Sequence, residues 1–100
     1  MEAQVVKSVK NEVIKYIGHH LSSDLSLDKL ARFSGYSSFH LHRMMKQELG
    51  EPIGNYIRRK RIESAAMLLG LTSYPASQIK EMVGYENDSA FSKAFHQVMG

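Results

Sequence analysis

Residues 30–50 and 79–100 carry one pattern twice, and that repeat constrains the fold more than any other feature of the chain. Leu30, Gly35 and Tyr36 recur 49 positions later as Ile79, Gly84 and Tyr85. After one additional residue, Leu41, Met45, Leu49 and Gly50 recur 50 positions later as Phe91, Phe95, Met99 and Gly100. Each copy reads as a short helix, a Gly-aromatic turn and a second helix. The second helix has an apolar residue at every fourth position, the spacing that stacks side chains on one helical face. A repeat of this length implies two similar units that must be joined.

The joining segment also reads as a helix. Pro52 suits a first turn, and Tyr56, Ile57, Ile62, Ala65, Ala66, Leu68 and Leu69 supply an apolar surface up to a stop at Gly70. Ahead of the first copy, Val6, Val9, Val13 and Ile17 form one stripe over about residues 2–18, with Gly18 as the stop. His19 to Asp24 has loop composition. Ser26 and Ser37 are caps for helices two and three. Leu27, Leu30, Ala31 and Phe33 or Ser34 are expected inward on helix two, and Leu41, Met45 and Leu49 on helix three, with Met44 beside them. Leu71 to Tyr74 connects to helix five, which opens at Pro75, carries Ile79, Met82 and Val83, and closes at Gly84. Asn87 caps helix six.

No period-two run bounded by hairpin turns is present, so the predicted class is all-α. Short helix, Gly-aromatic turn and longer helix is the helix-turn-helix layout. Two copies bracketing one long helix favour this layout over a plain bundle of helical hairpins. The expected organisation is one domain, 1–100: a first subdomain at 1–50, a linker helix at 52–69 and a second subdomain at 73–100.

The free faces indicate chemistry. With Leu41 inward, Phe39, Arg43 and Lys46 point out from helix three, flanked by His40, His42 and Gln47. Such a face suits a DNA major groove: Arg pairs with guanine, His and Gln bond base edges, and an aromatic ring meets a thymine methyl. Phe39 has a second reading, local packing against helix two. On helix six the same phase presents Ser89, Lys93 and His96, flanked by Ser92. Asp88 either complements the helix dipole or accepts from cytosine. Ser37, Ser38 and Asn87, with the amides at the starts of helices three and six, can hold phosphates, and Lys46 and His96 are further phosphate candidates. The net charge is +3, a mild pointer to a polyanion. The run Arg58, Arg59, Lys60, Arg61 reads on charge alone as a solvated helix face. Arg58 and Arg59 are its candidates for phosphate contact.

Leu27 to Gly100 resembles the AraC/XylS family of regulators. The likeness rests on SLDKLARFSGYSSFHLHRMMKQELG, IGNYIRRKRIESAAMLL and GYENDSAFSKAFHQVMG, with Tyr56, Arg61, Ala65 and Leu69 in register between the two units. It implies two small subdomains on one rigid helix, each placing a recognition helix (about 38–49 and 88–99) in successive major-groove segments of double-stranded DNA. By position, it implies base contacts from Phe39, His40, His42 and Arg43, and from Asp88, Ser89, Ser92 and Lys93. RNA polymerase is the implied protein partner. Two departures stand out. Lys80 replaces the family's small alanine, and the chain stops at Gly100, before a Ser-Pro, Tyr-Arg segment. Helix six is therefore expected to lack C-terminal support. The wording also resembles members with a GyrI-like domain, so any small-molecule effector is expected to act through a domain absent here.

Rival functions find less support. There is no cysteine, which excludes disulfides and thiolate metal sites. His40 and His42 lie about 200° apart on a helix and cannot share an ion. No glycine phosphate loop, nucleophile elbow or carboxylate pair marks an enzyme or a cofactor site. No stretch is long and apolar enough to span a bilayer, and the charged N-terminus lacks the apolar core of a signal peptide. The default is a cytoplasmic, nucleoid-associated protein without metal, cofactor or membrane partner. A helical protein-interaction module is the remaining alternative; its binding would depend far less on salt than DNA binding does.

Overall fold

The computed structural model describes residues 2–100; Met1, counted in the expected first subdomain, lies outside the described residues. The helices, in order, are α1 (Glu2–His19), α2 (Leu27–Ser34), α3 (Ser38–Leu49), α4 (Ile53–Leu71), α5 (Ala76–Met82) and α6 (Asp88–Met99). No strand occurs among the described residues. The three polar caps act as their residue types dictate. Ser26 Oγ accepts from Lys29 N at 3.2 Å, Ser37 Oγ from His40 N at 3.1 Å, and Asn87 Oδ1 from Ala90 N at 3.0 Å. Each satisfies one of the amides that a helix start leaves unpaired. The two Gly-aromatic turns share a left-handed backbone, with φ +81° at Gly35 and +98° at Gly84. That conformation costs an L side chain about 1 kcal/mol or more.

The apolar interior is divided. In the first unit, α1 lies across α2 and α3, and α3 rests on α4. Val13, Ile17, Leu30, Leu41 and Met45 are fully buried there, with Ile53, Tyr56 and Ile57 of α4 beneath them. The second unit's cluster is smaller: Ala65 of α4 with Ile79 and Val83, flanked by half-buried Leu68, Tyr85 and Phe91. Nineteen residues of α4, about 28 Å at 1.5 Å per residue, join the two. The molecule measures 47 × 23 × 22 Å.

Several expectations are corrected. Helix four does not stop at Gly70, which stays helical. It runs to Leu71 because Thr72 caps it, its N–H and Oγ1 both donating to Leu68 O at 3.0 and 2.6 Å. Helix one likewise passes through Gly18 to His19, and the ring of His20 bonds Tyr16 O at 2.8 Å. Phe33 faces out, 45% exposed, where its ring meets Tyr16. Met82, Leu69 and Met99, read as part of the apolar surfaces of their helices, are also exposed. In α6 the buried position is Ala94, while Phe91 and Phe95 are only half-covered. α4 packs against both α5 and α6, but the apolar cluster they enclose is small and leaves these side chains at its edge.

Candidate nucleic-acid interface

The outward face of α3 is the most developed surface. Phe39 is 71% exposed, so the local-packing reading fails. The Arg43 guanidinium lies over its ring, 5.6 Å from the centroid. A cation over an exposed ring is attracted to it without being buried. His42, Arg43, Lys46 and Gln47 line one shallow groove. His40 is exposed and sets its ring edge-on against Tyr36, centroids 5.0 Å apart.

The cap residues differ in what they can still donate. Ser37 uses its oxygen as acceptor from His40 N and keeps its O–H. Ser38 spends its hydroxyl proton on Asp28 Oδ1 at 2.7 Å, which ties α3 to α2. Asn87 accepts through Oδ1 and keeps both amide protons.

On α6, Ser89, Ser92, Lys93 and His96 are all exposed. Asp88 is not free: Lys80 Nζ lies 2.8 Å from its Oδ1 and also donates to Glu86 O at 3.3 Å. Lys80, where the family has a small alanine, is part of the site's frame. Its stem lies against the second unit, with 12% of the side chain exposed, and its ammonium fastens the start of α6 to α5.

The basic run is divided in use. Arg59 pairs with Glu51 at 2.6 Å and sits over Tyr56. Lys60 pairs with Glu63 at 3.5 Å. Arg58 has only a long bond to Asn55 Oδ1, 3.4 Å, and no acidic partner among the described residues. It lines an open cleft of about 640 Å³ between the units, together with Ser26, Arg61, Tyr85 and Asn87. Arg61 is half-buried rather than solvated. It donates from Nε to Leu21 O at 3.1 Å and from Nη2 to Ser23 O at 2.8 Å. Burial pulls Arg61 below its ordinary pKa, against the opposing pull of Tyr85 and Asp24, and burial raises that of Tyr85. Arg61 keeps its charge throughout, since a guanidinium does not deprotonate in proteins.

No cluster of three or more metal-ligating side chains occurs among the described residues. No helix among them is long and apolar enough to cross a membrane. What the surface offers is two helices of matched phase, each preceded by a Gly–Tyr turn and carrying exposed polar and basic side chains.

Comparison with known proteins agrees with that geometry. The family described as "Helix-turn-helix domain" matches residues 30–100. The chain is 35% identical over 97 residues to the HTH-type transcriptional activator AarP of Providencia stuartii, covering 97% of this chain and 72% of the activator. It is 37% identical over 84 residues to the Right origin-binding protein of Escherichia coli, covering 84% of this chain and 29% of that protein. Among solved structures, the C-terminal domain of AraT, a response regulator from Geobacillus stearothermophilus, superposes with TM-score 0.85 at 39% identity. That match covers 96% of this chain and 77% of the AraT chain. A transcriptional regulator with an AraC-type DNA-binding domain, from Chromobacterium violaceum, superposes with TM-score 0.85 at 27% identity, over 93% of this chain and 83% of that one. The chain belongs to the AraC-type helix-turn-helix family of DNA-binding transcription regulators, which are not enzymes.

Proposed function

We propose that the chain reads an asymmetric duplex site, with α3 and α6 in successive major-groove segments. The observation that carries this is the exposed Phe39–Arg43 pair, a large apolar ring and a guanidinium held together on the outer face of α3. Water is a poor neighbour for such a ring; a thymine methyl beside a guanine edge is a good one. The 47 Å length exceeds the roughly 34–36 Å between equivalent faces one turn apart on B-DNA. Base contacts fall to Phe39, His40, His42 and Arg43 from α3, and to Ser89, Ser92 and Lys93 from α6. Asp88, tied to Lys80, serves mainly to set the start of α6. Selection from a randomised duplex library tests the reading. The expected product is a two-block motif without a dyad, its blocks about 10 bp apart. A palindrome, or no enrichment, overturns it.

Phosphate contacts fall to Ser37, Asn87, Lys46, His96 and Arg58, with Ser38 and Arg59 weaker because each already has an acidic partner. Arg58→Gln is expected to lower affinity alike on all sequences and to reduce the slope of log K against log salt by about 1. Arg59→Gln should change that slope less. Titrations from low to moderate salt check both, and a sequence-selective loss at Arg58 would refute the assignment.

At the level of the whole protein, the reading extends to RNA polymerase as partner and to a cytoplasmic, nucleoid-associated location. Any small-molecule response is assigned to a further domain of the GyrI-like kind. The family membership supports each of these as an extension of duplex binding.

A further inference from the structure

Arg61 of α4 and Gly84 of the second unit make a close polar contact with the α1–α2 loop of the first. The apolar clusters are separate, one ending at Ile57 and the other starting at Ala65. Between them on α4 sit Arg61 and the fully buried Ile62. The Arg61 fork holds two carbonyls of the α1–α2 loop, Leu21 O and Ser23 O, and its guanidinium lies over the Tyr85 ring of the second unit, 5.9 Å from the centroid. Gly84 completes the contact. A Cβ there would lie 2.3 Å from Leu21 O and 2.9 Å from the Arg61 guanidinium. The turn of the second unit thus approaches the loop of the first more closely than any side chain permits.

We propose that Arg61 is a positioning residue that fixes the setting of α6 relative to α3, and so fixes the half-site separation the chain accepts. The proposal rests on the reading that both units engage the duplex. One base pair of extra spacing moves the second half-site by about 3.4 Å and turns it by roughly 35°. A second unit held only by the small Ala65–Ile79–Val83 cluster has slack enough to follow part of that movement. A second unit whose turn is wedged against Leu21, with a planar fork bonded to two fixed carbonyls, does not. Lysine is no substitute, since a single ammonium lacks the fork that meets both oxygens at once. Arg61 itself needs no contact with DNA in this role.

The test compares duplexes carrying the selected site with duplexes in which the blocks are one base pair closer or one farther apart, and with a duplex carrying the first block alone. The wild-type chain is expected to prefer the selected spacing. Arg61→Met keeps an apolar stem and removes the fork. It should lower affinity for the selected spacing roughly tenfold, as aligned bivalency is lost, leave the single block unchanged, and flatten the preference among spacings. Gly84→Ala perturbs the same contact with Arg61 in place and should flatten the preference too; it decides the matter if Arg61→Met melts below the assay temperature. An equal loss on every duplex, or a spacing preference as sharp as wild type in a folded variant, overturns the proposal. So does a wild-type chain that selects two blocks but ignores their separation. A wild-type chain that selects no two-block site refutes instead the reading on which the proposal rests.

Discussion

Leu41→Ala is expected to remove about 2–5 kcal/mol from the unfolding free energy, the range for leucine-to-alanine changes in well-packed interiors. Leu41 is fully buried on α3, and α3 is the helix that α1, α2 and α4 all pack against. Full burial on a helix packed on three sides leaves little freedom to collapse into the vacated space, which places the cost toward the upper part of that range. Domains of this size hold about 5–15 kcal/mol in total. Each lost kcal/mol lowers Tm by about 4–8 °C at this length, so thermal melts followed by circular dichroism should shift by roughly 10 °C or more. The loss acts on folding: below the new Tm, the variant should select the same duplex motif. An unchanged Tm would show that the first unit does not depend on this ridge.

Arg43→Ala should act in the opposite manner, sparing stability and altering recognition. Arg43 is exposed, with its guanidinium over the Phe39 ring, so folding has little to lose. On the best duplex the expected cost is about 1–3 kcal/mol, with one base position of the motif losing its preference. Anisotropy titrations against the selected site and its single-base variants separate the two effects. The wild-type chain should discriminate at that position and the variant should not, while affinity for unrelated sequence falls only by the value of one charge. Retained discrimination everywhere would remove Arg43 from the set of base readers. With the Arg43 guanidinium 5.6 Å from the Phe39 ring centroid, the two residues are proposed to act as one recognition element.

The repeat made the architecture readable because its parts are local. A left-handed glycine, an aromatic neighbour and an apolar residue every fourth position each declare themselves within a few residues. The outward phase of α3 and α6 followed from the same periodicity, which is why Phe39, Arg43, Ser89 and Lys93 all stand exposed as expected. Other features depend on context. Phe33, Met82 and Met99 have the chemistry of interior residues yet stand exposed, Phe33 with its ring against Tyr16 of α1. Helix ends at Gly18 and Gly70 were misjudged because His20 and Thr72 supply caps further on. The basic run looked uniform, yet its members separate into ion pairs, one cleft residue and one clasp. The Arg61 bonds join positions 38 and 40 residues apart, a separation at which no periodicity is informative. Lys80 and Asp88, eight apart and on different helices, escape it too.

The unequal division of the interior has a consequence for how the molecule comes apart. A unit closed by Val13, Ile17, Leu30, Leu41 and Met45 resists opening far more than one closed by Ala65, Ile79 and Val83. Local opening free energies follow buried apolar contact, so the second unit is the weaker cooperative block and opens while the first stays shut. A duplex that engages both units binds the closed form of that block and draws it shut by mass action. A duplex that engages only the first leaves it as it was. Completion of the fold is then coupled to the match between protein and site, and an incomplete site is occupied by a chain that is itself incompletely closed.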